Sequence, residues 1–302
     1  MPRHDDRSGA AQHGHAPRPT ASSAAREDTP VNAAIRAARD LKSAQGRREQ
    51  GRYLLEGVRL IEDALDQGLE PDFVFITPHL LESTPRGRTI ATWLRQSGIP
   101  LFELNERLLR LISDTETPPG IIAVAHMPRP LATLPGPWAS GLSAVLLDHV
   151  RDPGNVGGIL RTAAAAGIEL VVSTEGSVDL YAPKVVRAGA GAHLRLELAP
   201  ARPIEELAPW LDRWPLRTLA DAHARTTLYD VDWRQPSVLV VSNEAHGSDE
   251  WLRERGLQGV SVPMRAATES LNVAAATAVL IYEARRPFLH SQARSRPTAR
   301  HQ

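Results

Sequence analysis

The sequence has no cysteine, which removes a disulfide framework, thiolate zinc sites and cysteine nucleophiles, and a cytoplasmic setting fits without redox protection. It has no net charge either. Thirty-five basic residues balance 35 acidic ones, so the average composition gives no support for a nucleic-acid partner, and only the distribution of charge can. No run approaches the roughly 18–20 apolar residues that a membrane-spanning helix needs, and the first residues, MPRHDDRSGAAQHGHAPRP, lack the apolar core of a secretory signal. The expectation is a soluble, unexported protein with no membrane role. No histidine pair stands at metal-ligand spacing, so no metal is expected. No G-x-G-x-x-G follows the first strand of either expected domain, which argues against a nucleotide-binding Rossmann enzyme.

What is present is an ordinary globular composition, 42% hydrophobic and 23% charged over 302 residues, long enough for two domains plus tails. Residues 1–30 carry no apolar period and read as a disordered tail. From Ile35, Arg39 and Lys42 onward helical spacing begins, and VRLIEDALDQG places Val58, Ile61, Ala64 and Leu65 on one face until Gly68. The short β-type runs PDFVFIT, IPLFEL and GIIAVAHM alternate with helices near Thr89–Ser97 and Glu106–Leu111. A small α/β domain over 31–127 follows, then a linker over 128–140, dense in Pro and Gly. A second domain over 141–288 opens with the buried-strand run SAVLLDHV. IELVVS, LRTLAD, SVLVVS and GVSVPM continue it, with helices at Val156–Ala166, near Ala182–Ala190 and over SLNVAAATAVLIYEA. A parallel sheet of about five or six strands covered by helices is the consistent solution, with a basic tail at 289–302.

Charge is unevenly spread. Seven cations (Arg36, Arg39, Lys42, Arg47, Arg48, Arg52, Arg59) face three acids between residues 31 and 60, and five Arg with no acid lie between Arg285 and the end. Both stretches are candidate phosphate-facing surfaces, against the alternative of a solvated, arginine-rich exterior.

Open α/β sheets bind ligands beyond the carboxyl ends of their strands, and three such places are loaded. In DHVRDPGNVGGILRTAAAAG, Pro153 and Gly154 make a turn and Asn155 can cap a helix. Gly157 and Gly158 admit close approach of a ligand or of another helix. Arg161 offers a planar fork for a phosphate or carboxylate, or else pairs with a surface acid. His149 is either a structural histidine or a base. VLVVSNEAHG ends a strand with Asn243, Glu244 and Gly247. In VSVPMRAATESLNVAAATAVLIYEA, Ser270 and Asn272 stand at the start of a long apolar helix, with Ser270 as the expected N-cap.

Taken in order, N-x-G-x-x-x-R-T-A at Asn155–Ala163, N-E-x-x-G at Asn243–Gly247, and V-P-M with S-L-N-V at Val262–Met264 and Ser270–Val273 resemble the three motifs of the SpoU (TrmH) ribose methyltransferases of the SPOUT superfamily. The segment RREQGRYLLEGVRLIEDAL with TPPGIIAV resembles the L30e-like substrate-binding domain that precedes the catalytic domain in many members. The resemblance implies a trefoil-knotted parallel sheet preceded by a small α/β domain, a homodimer, and S-adenosylmethionine as cofactor. The matching cofactor positions are Val241, Ser242, Asn243, Glu244, Gly247, Val262, Pro263, Met264, Leu271, Asn272 and Val273, with Ser242 standing where the family has Gly. The matching catalytic positions are Arg161, Asn155, Glu244, Ser270 and Asn272. Because a guanidinium stays protonated, Arg161 is expected to grip a phosphate and stabilise oxygen charge rather than to act as a base. The implied reaction is 2′-O-ribose methylation of RNA, ribosomal RNA being favoured, with Arg36, Arg39, Lys42, Arg47, Arg48 and Arg52 holding phosphates. A transfer RNA substrate, or a non-catalytic knotted RNA-binding or ribosome-assembly factor, is the alternative.

Overall fold

A computed structural model describes residues 29–138, 141–242, 250–265 and 270–295, with the backbone alone for 81–83, 250, 253 and 289–295. The first described helix opens at a capped proline: Thr29 accepts from the Asn32 amide, and Pro30 opens α1 (Pro30–Asp40), while residues 1–28 of the expected tail lie outside the described residues. α2 (Ala44–Gln50) follows and stops at Gly51, whose φ of 63° favours glycine. Then come β1 (Arg52–Glu56), α3 (Val58–Asp66), β2 (Phe73–Ile76), α4 (Pro78–Ser83), α5 (Pro85–Gln96), β3 (Leu101–Glu103), α6 (Glu106–Ile112) and β4 (Ile121–His126). The strands form a four-stranded sheet in the order β1-β4-β2-β3, antiparallel except for β2 beside β3.

β1 is a strand that periodicity alone did not mark. Tyr53 and Leu55 join one apolar cluster and Leu54 another, so RYLLE is buried on both faces and shows no alternation.

The second sheet holds β5 (Leu142–Asp148), β6 (Leu170–Thr174), β7 (Glu197–Arg202), β8 (Leu216–Ala220), β9 (Ser237–Ser242) and β10 (Gln258–Val260), in the order β10-β8-β9-β5-β6-β7. All five pairings are parallel, as the apolar runs implied. β7 is the strand the sequence hid. As an edge strand it tolerates Pro200 and a register shift. Along β5, Val145 and Leu147 face one layer while Ala144 and Leu146 face the other, so both sides of the strand are dry. The first layer holds α7 (Pro153–Ala166), α8 (Pro183–Gly189) and α11 (Val273–Ser295). The second holds α9 (Ile204–Leu211), with α10 (Glu250–Arg253) completing the order.

The connecting stretch is pinned down rather than free. Trp210 Nε1 donates to the Pro135 carbonyl at 2.8 Å, Arg213 donates to Leu134 and Pro135, and Arg202 donates to Leu131. Ion pairs also join the two sheets' domains: Arg47 with Asp179, Arg195 with Asp63 at 2.6 Å, and Arg187 with Glu56 at 3.5 Å. Between them Tyr53, Tyr181 and His193 cluster, with ring centroids 5.2 and 5.5 Å apart across Tyr181. Burial pushes the Tyr53 hydroxyl up to about 12 and raises that of Tyr181 further. The same burial lowers His193, whose Nε2–H donates to the Leu180 carbonyl at 2.7 Å.

Candidate functional site

β5 sits between β6 and β9, so the chain leaves it toward one edge and later returns on its other side. That reversal opens a crevice at the carboxyl ends of β5 and β9, where Asp148 and Ser242 are register partners. Asp148 is fully buried there; Ser242 Oγ donates to its Oδ2 at 3.3 Å, and His149 Nδ1 lies 3.0 Å from its Oδ1. His149 takes φ 53°, and its amide donates to Thr174 Oγ1. Its ring occupies space that a Cβ on Gly176 would invade at 2.1 Å. The imidazole is therefore fixed by a buried carboxylate against backbone, and it does not line the cavity beside it. Ser242 is absent from the positive-φ residues, so this position makes no demand for glycine.

After Asp148 the chain turns into α7. Its cap is Asp152, whose carboxylate accepts from the Asn155 amide at 2.7 Å, with Pro153 at the first helical position. This corrects the expectation that Asn155 caps the helix. The Asn155 side chain is left for another purpose: its Oδ1 accepts from Asn272 Nδ2 at 2.9 Å. Asn272 Oδ1 in turn accepts from the Ala274 and Ala275 amides at 2.9 and 3.3 Å. Asn272, not Ser270, is thus the cap of α11. The two helix N-termini are bridged side chain to side chain, and both direct positive dipole ends toward the same crevice.

Beside these two helix N-termini lies a cavity of about 430 Å³ lined by Val150, Arg151, Asp152, Asn155 and 270–273. It gathers Asn155 of the first motif with Ser270, Leu271, Asn272 and Val273 of the third. Arg151 and Asp152 also line it, although the sequence reading assigned them no role. The signal was available in a charged pair directly after a buried strand and before a proline that opens a helix. Val241 and Ser242 end β9, and Val262, Pro263 and Met264 follow β10; Val262 and Val273 pack on the main apolar cluster. Asn243, Glu244 and Gly247 lie outside the described residues.

Arg161 stands six residues beyond Asn155 on α7, about 9 Å along the axis, exposed and outside the cavity lining. Among the described residues it has no carboxylate partner. Gly157 and Gly158 of α7 serve helix packing. A Cβ on Gly157 would meet Ala188 Cβ at 2.3 Å, and one on Gly158 would meet Ala274 at 3.4 Å.

The expected phosphate contacts divide. Arg36, Arg39 and Arg48 are exposed. Lys42 is exposed too, but its Nζ donates to the Ser113 carbonyl at 2.8 Å. Arg47 is a correction: it is 3% exposed and bound to Asp179, a partner 132 residues away that no local pattern announces. Arg52 is half-buried and pairs with Asp72 at 2.5 Å. In the carboxyl-terminal stretch, Arg285 donates to the Ala166 and Leu142 carbonyls and Arg286 pairs with Glu283, so neither is a spare cation.

Among the described residues no group of three His, Asp or Glu is placed to hold a metal, and no helix is long and apolar enough to cross a membrane.

Comparison with known proteins gives concordant results. The SpoU rRNA Methylase family model matches residues 143–282, and that of an MRM3-like substrate binding domain matches 32–123. The chain is 33% identical over 259 residues to an uncharacterized tRNA/rRNA methyltransferase of Synechocystis sp., covering 84% of this chain and 91% of that protein. It is 30% identical to the 23S rRNA (guanosine(2553)-2'-O)-methyltransferase RlmP of Bacillus subtilis, covering 81% and 93%. The crystal structure of the SpoU methyltransferase AviRb from Streptomyces viridochromogenes, in complex with AdoMet, superposes with a TM-score of 0.72 at 28% identity, covering 86% of this chain and 100% of that one. With both sheets, the converging motifs and these relatives in agreement, the chain belongs to the SpoU rRNA methylase family.

Proposed function

We infer that the protein transfers a methyl group to a ribose 2′-oxygen of RNA, and that the RNA is ribosomal. The observation that carries this reading is the Asn155–Asn272 bridge, which draws the first and third motifs together at one cavity although 117 residues separate them. S-adenosylmethionine is the family's cofactor and supplies an activated methyl group when bound. The residues present suit it. Val262, Met264, Leu271 and Val273 are half-buried and uncharged, a surface matched to a neutral adenine and its backbone hydrogen bonds.

The chain's own part is placement. In-line displacement requires the oxygen held about 3–3.5 Å from the carbon it attacks, so geometry supplies most of the rate. Arg161, exposed and without an acid partner among the described residues, is fitted to grip the phosphate beside the target ribose and to stabilise charge growing on the oxygen. Asn155 and Asn272 hold the rim of the cavity in register. A 2′-hydroxyl is what distinguishes RNA from DNA, which makes RNA the substrate class. The preference for ribosomal RNA rests on the match at 32–123 and on relatives named for 23S rRNA. Arg36, Arg39 and Arg48 are among the exposed cations of that domain, which is where we place the phosphate contacts. On the family likeness we extend the reading to a knotted carboxyl-terminal region and a homodimer. Val279 and Tyr282, one turn apart and more than 40% exposed on α11, are apolar surface that a second copy would cover.

The test is incubation of the protein and an Arg161→Ala variant with radiolabelled S-adenosylmethionine and unmodified ribosomal and transfer RNA, followed by mapping of alkali-resistant linkages. Label at one ribosomal position, reduced at least about 100-fold in the variant while cofactor binding persists, is the expected result. Label confined to transfer RNA would move the substrate, and absence of both labelling and cofactor binding would refute the enzyme.

A further inference from the structure

Arg47 was expected on the RNA-facing surface, and its burial raises the question of what a cation is doing at the junction of the two domains. Three of its nitrogens are engaged. Nε and Nη2 donate to Asp179 Oδ2 at 2.9 and 2.5 Å, while Nη1 donates to the carbonyls of Leu41 and Lys42 at 2.7 and 3.0 Å. Leu41 and Lys42 form the turn between α1 and α2, and that turn is flanked by Arg39 and Arg48, both exposed and without a carboxylate partner among the described residues. The Lys42 ammonium is itself tied to the end of α6 through the Ser113 carbonyl. One guanidinium therefore fixes the backbone that presents two available cations.

On the other side, Asp179 ends a loop laced to the cavity rim. Its Oδ1 accepts from the Tyr181 amide, and next to it Val178 N donates to the Val150 carbonyl at 3.0 Å. Ser177 Oγ accepts from the Val150 amide at 3.3 Å and donates to the Leu147 carbonyl at 3.0 Å. Val150 lines the cavity. Hydrogen bonds on either side of the Val178–Asp179 peptide link thus lead from the α1–α2 turn through Arg47 and Asp179 to Val150 at the cavity rim. A planar five-donor fork suits such a junction, because it can hold a carboxylate and two carbonyls at once in a fixed plane, which a lysine cannot do.

The geometry points to Arg47 as a positioning residue for methyl transfer: it sets the offset between the RNA-gripping turn of the amino-terminal domain and the cavity where the ribose is placed. This rests on the methyltransferase reading above. Arg47 touches neither RNA nor cofactor; its effect is on where bound RNA lies, and a displacement of about 1 Å at the reacting atoms lowers rate by about 100-fold.

The experiment compares the full-length wild type with Arg47→Ala, Arg47→Lys and Asp179→Asn. Affinity for ribosomal RNA, affinity for S-adenosylmethionine, single-turnover rate at saturating RNA, and amide hydrogen exchange in RNA-free protein are measured on each. For Arg47→Ala the expected result is RNA and cofactor affinities within about threefold of wild type and a saturated rate lower by about 100-fold. Exchange should rise in 41–43, 147–152 and 176–180 while the core of the six-stranded sheet stays protected, and Arg47→Lys should recover part of the rate. If RNA affinity falls while the saturated rate stays at the wild-type value, Arg47 acts on RNA binding and not on the placement of bound RNA, and the proposal is overturned. Unchanged rate with unchanged exchange overturns it as well. Should Arg47→Ala fail to fold, Asp179→Asn, which keeps the side chain's shape and removes its charge, is held to the same outcomes. If the wild type itself transfers no label, the methyltransferase reading fails separately, and exchange alone then decides whether Arg47 couples the two segments.

Discussion

Asn272 makes two kinds of bond at once, and they can be separated. Its Oδ1 caps α11 by accepting from the Ala274 and Ala275 amides, and its Nδ2 bridges to Asn155. Replacement by Ala removes both. Loss of an N-cap costs about 1 kcal/mol, which for a chain of this size lowers Tm by about 1–2 °C. Replacement by Ser keeps a capping oxygen but is too short to reach Asn155, so its stability cost should stay below about 0.5 kcal/mol. The bridge is lost in both variants, and with it the register of the cavity rim, so single-turnover methyl transfer at saturating RNA should fall by about 10- to 100-fold in each. Scanning calorimetry reads the first difference and label incorporation the second. Wild-type turnover in Asn272→Ser beside a loss in Asn272→Ala would show that the bridge contributes nothing and that Asn272 is a cap alone. Equal destabilisation by Ser and Ala would refute the cap.

Two further expectations concern stability. Gly157→Ala forces a methyl to 2.3 Å from Ala188 Cβ and 3.0 Å from the Gly189 amide nitrogen, so it should cost about 1–3 kcal/mol by thermal denaturation. Gly158→Ala meets only ordinary contact at 3.4 Å and should be neutral or slightly stabilising; the reverse order would contradict the helix packing described. Burial holds the His193 pKa below its unfolded value of about 6.5, so the unfolded chain binds a proton there that the folded chain resists. Stability should therefore decline as pH falls through about 6.5 toward the folded-state pKa, with no contribution from this group above that window. Urea midpoints at pH 7.5 and 5.5 should differ less in His193→Gln, which retains a donor for the Leu180 carbonyl, than in wild type; equal differences would assign the acid sensitivity elsewhere.

The parts of this protein legible in its sequence are those fixed by neighbours along the chain. SAVLLDHV reads as a strand buried on both sides because its apolar run is unbroken, and β5 is such a strand. The three motifs read as strand-end clusters because turn residues follow apolar runs, and two of them meet at one cavity. β1 was not legible: a short run between helical stretches, buried on both faces, carries no period to distinguish it.

What the sequence determined by itself was therefore composition, the parallel α/β pattern and the family motifs, all of them local or ordered along one dimension. The tertiary structure alone decided which polar groups face one another. It made Asn272 rather than Ser270 the cap, gave Gly157 and Gly158 to helix packing, and turned Arg47 inward to Asp179. Each of these depends on a partner brought near by packing of helices and sheets, and a charge or a hydroxyl has the same appearance in a sequence whether that partner is solvent, RNA or a carboxylate 132 residues away.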